Sequence, residues 1–202
     1  MTDLATRRKD LLSSSMDNIR AIIANLGETR DALKEVEKIV VSMTKEEEMF
    51  GHGEFPTPTP KEYAKIYLLS DDEGGGFSLY LISALPFGPS PVHDHGTFAV
   101  IAGIEGDEEN TIYKRIDDGS REGHAELEED HKVVLRKGDG IAFMPDDIHH
   151  ICAVTETPTR HFHLYGKGFA QQNNKTEFNL KERTTKAVSG AFLPVDESRR
   201  IL

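Results

Sequence analysis

Two histidines separated by a single residue, His93 and His95, constrain the fold of this chain more than any other feature of its sequence. On a β-strand, residues i and i+2 point to the same face, so both imidazoles can turn toward one point inside a β-barrel. A third histidine, His149, follows in a later β-prone segment. A lone histidine is more often a surface or hydrogen-bonded core residue, but this combination favours a metal site. The pattern predicts a barrel in which three imidazoles meet.

From Tyr63 onward, short β-prone runs alternate with glycine-rich and acidic turns. The turn signals lie at residues 71–76, 105–107, 117–119 and 137–140. We place strands at residues 63–69, 77–85, 96–104, 110–115, 132–135, 140–144, 148–154 and 160–165. Many short strands with regularly spaced turns are typical of an antiparallel barrel or sandwich.

The first 60 residues carry a helical pattern instead. Apolar residues recur at mostly helical spacing over residues 4–26, and Gly27 is well placed to end that helix in a left-handed conformation. A second helix is expected over residues 29–42, and Thr44 with Glu47 forms a capping-box pattern for a short third helix. Prolines at positions 56, 58 and 60 cannot continue a helix and mark the boundary before the sheet.

These patterns divide the chain into three parts. Residues 1–60 are expected to form a helical segment that packs on the barrel, residues 61–168 the barrel with its metal site, and residues 169–202 a C-terminal extension. The polar stretch 171–186 predicts a segment that covers the barrel exterior or is partly mobile. The apolar stretch 188–194 is expected to dock on the barrel or on another subunit.

Composition excludes several classes of partner. The chain has 24 Lys and Arg against 35 Asp and Glu, a net charge of -11, which repels nucleic acid and anionic membranes. The single cysteine, Cys152, rules out an intrachain disulfide framework and fits a reducing compartment. No apolar run approaches the roughly 18 residues of a membrane span. We therefore expect a cytoplasmic protein, a monomer or homo-oligomer, whose partners are small molecules.

Two sequence runs resemble the motifs of the cupin superfamily. The run GPSPVHDH at residues 88–95, followed by Gly106, resembles the first motif, and the segment 138–145 with His149 resembles the second. The resemblance covers about residues 61–168. It implies a mainly β fold, a cupin double-stranded β-helix or jelly-roll barrel, with an N-terminal helical segment.

The run HDHG at residues 93–96 and the run HFHLYG at residues 161–166 are together similar to the thiol dioxygenase family, which includes cysteine dioxygenase and 3-mercaptopropionate dioxygenase. The resemblance implies Fe(II) as the cofactor, a thiol bound to iron through sulfur, and a sulfinate formed with O2; Ni, Mn or Zn stay open for the same site. The metal ligands that it implies are His93, His95 and His149. The catalytic outer-sphere relay that it implies is His161, His163 and Tyr165.

Three positions depart from the family pattern. The serine of the family relay is replaced by His161, which brings a titratable ring in place of a hydroxyl. The arginine that cysteine dioxygenase uses for the substrate carboxylate corresponds to Lys65 or Tyr67, which become the candidate substrate-binding residues. Ala99 stands where many cupins have a glutamate ligand and where animal thiol dioxygenases have a crosslinked cysteine. The expected ligand set is three neutral histidines, without a tyrosine crosslink.

These features favour a non-haem iron thiol dioxygenase that converts a small, carboxylate-bearing thiol and O2 to a sulfinate. Two alternatives stay open: a cupin metalloenzyme acting on a non-thiol small molecule, and a non-catalytic cupin that binds a ligand or a metal. The fold cannot separate them. The pair His163 and Tyr165 favours catalysis, because a passive binding barrel has little need of a hydrogen-bonded tyrosine beside its metal ligands.

Overall fold

The computed structural model describes residues 3–191 and 193–202, and it confirms the predicted mainly β fold. Two six-stranded sheets pack face to face as a double-stranded β-helix, with two helices on one side. The helices are α1 (Leu4–Leu26) and α2 (Arg30–Met43), and 3-10 turns span Glu47–Phe50, Phe169–Gln171 and Glu197–Arg199. The strands are β1 (Ala64–Asp71), β2 (Ser78–Ala84), β3 (Val92–His93), β4 (Ala99–Glu105), β5 (Glu108–Arg115), β6 (Leu127–Leu135), β7 (Gly140–Phe143), β8 (Ile148–Ala153), β9 (Thr159–Tyr165), β10 (Lys175–Asn179), β11 (Thr184–Val188) and β12 (Val195–Asp196).

The sheets differ in what covers them. The first sheet has the strand order β12-β1-β2-β9-β4-β7 and the second the order β11-β10-β3-β8-β5-β6. Every residue of β2 and β9 is buried, because the helices cover the outer face of the first sheet. The outer face of β9 presents Phe162 and Leu164 to the helices, and its inner face carries Tyr165 into the barrel core. Strand alternation thus gives β9 one packing face and one face for the cavity.

Both helices form where the sequence predicts them. The side chains of Asp3 and Thr29 cap them by accepting hydrogen bonds from backbone N–H groups. Gly27 ends α1 with a positive φ of 69°, as predicted, but its ψ of 179° lies outside the left-handed helical region. The capping box at Thr44 was wrong: the Thr44 hydroxyl donates to the carbonyl of Val41 at the end of α2, and no side chain caps the 3-10 turn that follows. No helix in residues 3–191 or 193–202 combines the length and apolar content that crossing a membrane requires.

The polar C-terminal stretch forms sheet structure, which its sequence did not reveal. Strands β10 and β11 make a hairpin that extends the second sheet, with Glu177 paired to His93 and Phe178 to Val92. Strand β12 lies parallel to β1 at the far edge of the first sheet. Leu193 packs against the inner core, whereas Phe192, part of the stretch 188–194, lies outside the described residues. The extension therefore helps to enclose the cavity between the sheets.

Candidate metal centre

A cavity of ≈ 310 Å³ lies between the two sheets, and the three predicted histidine ligands all line it. His93 on β3 and His149 on β8 are direct partners in the antiparallel register, and His95 follows in the turn after β3. One potential ligand atom of each residue lies within 4.8 Å of those of the other two. The ring centroids are 4.7 Å apart for His93 and His149 and 5.0 Å apart for His95 and His149. The structure thus brings the histidine trio together.

Gly96 fixes the turn that carries His95. Its φ is 61°, a conformation that favours glycine, and a Cβ placed there would lie 2.6 Å from the carbonyl oxygen of Asn174. The backbone of the segment before β10 therefore approaches the histidine turn too closely for any side chain. Through this contact, the hairpin β10–β11 and the metal-binding turn hold each other in place.

We predict that Gly96→Ala lowers the free energy of unfolding by about 1–3 kcal/mol, because the substitution adds a backbone clash to an unfavourable φ. Urea denaturation of the metal-free protein measures this loss. Gly53→Ala is the matched control, since a Cβ at Gly53 has no atom within 4 Å and its φ is not in the left-handed region. Equal stability of the two variants would contradict the assigned role of Gly96.

Hydrogen bonds orient two rings of the trio. The Nδ1–H of His93 donates to the carbonyl of Pro91 (2.9 Å), and the Nδ1–H of His149 donates to Oδ1 of Asn110 (3.0 Å). Each ring therefore keeps its Nε2 lone pair free for another partner. Nε2 of His149 and Nδ1 of His95 are buried without any hydrogen-bond partner. Buried polar atoms are seldom left unpaired, so these nitrogens fit the ligands of a metal ion.

Electrostatics keep the trio in its metal-binding form. Burial lowers the pKa of His93, and burial together with repulsion from neighbouring histidines holds the pKa of His95 and of His149 well below the usual value. The rings are therefore neutral at pH 7, which is the protonation state that binds a metal. Ala99 contributes no carboxylate, and the metal-ligand cluster of the described residues consists of the three imidazoles alone. Three neutral imidazole ligands would leave a bound divalent metal with its full double positive charge.

Asn110 on β5 contacts a histidine of the trio, which the sequence did not reveal. It is fully buried, and its amide holds the His149 ring. We predict that Asn110→Ala lowers metal affinity by about 10- to 100-fold, because the ring loses the partner that fixes its tautomer and orientation. Competition with a metal-binding dye measures the affinity. An unchanged affinity would show that packing alone orients His149.

The relay predicted on β9 is brought to the trio only in part. His161, His163 and Tyr165 all face the cavity, and Nδ1 of His163 shares a hydrogen bond of 3.1 Å with the Tyr165 hydroxyl. The Tyr165 ring lies 5.5 Å from the ring of His95. His161 is the next inward residue on β9 beyond His163, on the side away from Tyr165. Its Nδ1 is 3.7 Å from Oε2 of Glu108. It makes no hydrogen bond to His163, so a continuous relay through His161 is not formed.

The substrate-binding assignment of Lys65 and Tyr67 needs correction, because neither residue lines the cavity. Alternation along β1 turns Ala64 inward and its odd-numbered neighbours outward. Lys65 lies 3.4 Å from Glu62 in an ion pair on the outside. Tyr67 packs in the helix-facing core, and its hydroxyl donates to the carbonyl of Pro56.

The cavity contains a different cation, Lys175 on β10. Its ammonium donates to the carbonyl of Gly190 (2.5 Å) and lies 5.7 Å from the centre of the Phe169 ring. Burial lowers the pKa of Lys175. The sequence placed this lysine in a polar tail, and only the pairing of β10 with β3 brings it to the metal-binding end of the cavity.

The fold is a double-stranded β-helix of two facing, mainly antiparallel sheets, and the cavity between them contains the histidine trio. No protein-family model matches the chain, and no curated protein matches it. Among solved structures, it is similar to an oxalate oxidase in complex with the substrate analogue glycolate (18% identity, TM-score 0.39), over 54% of this chain and 53% of that one. It is also similar to the Cnp3 cupin domain of Schizosaccharomyces pombe (11%, TM-score 0.41, 52% and 62% covered). A cupin superfamily protein of Desulfitobacterium hafniense is a third (11%, TM-score 0.41, 56% and 86% covered).

Proposed function

We propose that this chain is a non-haem iron dioxygenase that converts a small thiol and O2 to a sulfinate. The observation that supports it is one cavity containing three neutral imidazoles and, beside them, a hydrogen-bonded tyrosine and histidine. The cavity volume of ≈ 310 Å³ suits a small molecule. The same class of reaction is what the resemblance to thiol dioxygenases implies.

The three histidines would hold the iron. Hydrogen bonds orient the rings of His93 and His149, and within the described residues Nδ1 of His95 and Nε2 of His149 are buried without a hydrogen-bond partner. Iron bound there would supply the redox chemistry for adding both atoms of O2 to the thiolate sulfur, so that RS⁻ and O2 give RSO2⁻. Sulfur is oxidised and oxygen reduced, and no external electron donor is consumed.

Tyr165 would act by hydrogen bonding. Burial raises the pKa of its hydroxyl, so the group keeps its proton at neutral pH. His163 fixes the position of this hydroxyl through their shared hydrogen bond. With the Nδ1–H of His163 as the donor in that hydrogen bond, the hydroxyl would keep its own proton to donate to a negatively charged sulfur or oxygen in the cavity and hold that atom in a reactive orientation.

Oxygen uptake by the iron-loaded protein tests the proposal. The thiol panel is cysteine, 3-mercaptopropionate, cysteamine and mercaptosuccinate, with the product identified by mass spectrometry. We expect at least one thiol to give its sulfinate, with one O2 consumed per sulfinate formed. Full iron loading without oxygen uptake for any member of the panel would overturn the proposal and favour a non-thiol substrate or a binding role.

A further inference from the structure

A buried carboxyl group in the cavity has no place in the proposed chemistry at the metal. Glu108 on β5 lines the cavity, is 2% exposed, and faces His161, which is also 2% exposed. Within the described residues, Oε1 of Glu108 and Nε2 of His161 have no hydrogen-bond partner. Buried polar atoms are seldom left unpaired, so two of them in one cavity indicate that a ligand group or water completes them.

Among the described residues, no cation neutralises this carboxyl group. Burial raises the pKa of Glu108 to about 8, against the opposing effect of the neighbouring Asn110 amide, and burial lowers the pKa of His161 to about 4. At neutral pH the imidazole is therefore uncharged and most of the carboxyl group is protonated. Of the Lys and Arg side chains in residues 3–191 and 193–202, only Lys175 lines the cavity, and it already donates to the carbonyl of Gly190.

Strand register puts Glu108 and Lys175 on opposite sides of the histidine trio. On β5, Ile112 pairs with His149, and Glu108 lies two inward positions away, opposite Ala153. On β10, Glu177 pairs with His93, and Lys175 lies on the side of the turn that carries His95. A substrate bound by its sulfur at the trio can therefore extend its tail toward Glu108 without meeting the lysine.

We propose that Glu108 and His161 form a binding site for the primary ammonium group of an aminothiol substrate. This inference rests on the proposed thiol dioxygenase function and names the class of thiol. An ammonium group supplies the missing cation: Glu108 releases its proton, the ammonium donates to Oε1, and neutral His161 can accept through Nε2. A carboxylate tail at this place brings no cation and meets a like charge whenever Glu108 is ionised, so the site favours an ammonium tail over the carboxylate tails that the family resemblance suggests.

Steady-state kinetics with paired substrates test this selection. We expect kcat/KM for cysteamine, or for its homologue one carbon longer, to exceed that for 3-mercaptopropionate. Glu108→Gln should reduce kcat/KM for the preferred aminothiol by about 30-fold or more, mainly through KM, and so remove or reverse the preference over 3-mercaptopropionate. Glu109→Gln is the matched control, because Glu109 is the next residue of β5 and pairs with Lys132 on the outer face.

Infrared difference spectroscopy gives a readout that does not need turnover. Adding cysteamine to the iron-loaded protein under anaerobic conditions at neutral pH should remove a protonated-carboxyl band, and that band should be missing from Glu108→Gln. Should the glutamine variant fail to fold, Glu108→Asp assigns the band by shifting it. A band that cysteamine leaves unchanged would show a water-filled polar pocket only and overturn the inference.

The two experiments separate this inference from the proposed function. Sulfinate formation from 3-mercaptopropionate with no preference for amines, and with an unchanged carboxyl band, would overturn the amine site and leave the dioxygenase intact. Loss of the carboxyl band without oxygen uptake for any thiol would overturn the dioxygenase and support an amine-binding site.

Discussion

His149→Ala is expected to lower iron affinity by more than about 100-fold and to abolish oxygen uptake. Losing a partner that only orients a metal ligand costs about 10- to 100-fold in affinity, and loss of the ligand itself exceeds this. The remaining pair, His93 and His95, would leave the ion with two protein ligands. The measurement is the iron content of anaerobically loaded protein after dialysis, with thermal unfolding to confirm that the variant is folded.

His150→Ala is the matched control for this prediction. His150 is adjacent in sequence but on the other face of β8, where its Nδ1 lies 3.0 Å from the hydroxyl of Tyr113. The variant should retain iron at the level of the unaltered protein. If His149→Ala retained as much iron as His150→Ala, the trio would not be the metal site.

Tyr165→Phe is expected to reduce turnover by about 10²- to 10⁴-fold while iron content stays unchanged. Phenylalanine keeps the ring contacts with His95 and Phe169 and removes only the hydroxyl that is hydrogen-bonded to His163. The loss should appear in kcat as well as in kcat/KM, because a hydroxyl that orients the reacting atoms acts mainly in the transition state. Oxygen uptake and iron analysis of the same preparation measure both quantities.

Tyr80→Phe controls for the loss of a tyrosine hydroxyl in the same core. The Tyr80 ring lies 6.0 Å from that of Tyr165, but its hydroxyl accepts a hydrogen bond from the backbone N–H of Phe169. This variant should have a lower free energy of unfolding, while its turnover per bound iron stays unchanged. Parallel losses of iron and turnover in Tyr165→Phe would instead make the Tyr165 hydroxyl a structural group.

Residue spacing was enough to predict the centre of the site. His93 and His149 lie on strands that pair directly, and residues 161, 163 and 165 share the inner face of β9 because alternation requires it. The mainly β fold and both helices also follow from the hydrophobic pattern and the turn residues. These features are local, or depend on a period of two along one strand.

The remaining features of the site depend on which strands pair and in which register. Glu108 and Glu109 are identical neighbours in the sequence, and only the pairing of β5 with β8 turns Glu108 inward. Lys65 was assigned to the cavity by resemblance, but alternation along β1 points it outward. The strand that carries Lys175 has polar residues on both faces, so no periodic signal identified it.

X-ray absorption spectroscopy of the iron-loaded protein tests the histidine trio most directly. We predict the multiple-scattering pattern of three imidazole rings in the unaltered protein, and of two rings after alanine replaces His93, His95 or His149 one at a time. Fewer than three imidazoles in the unaltered protein, or a spectrum that none of the three substitutions changes, would contradict the metal centre on which the proposed function rests.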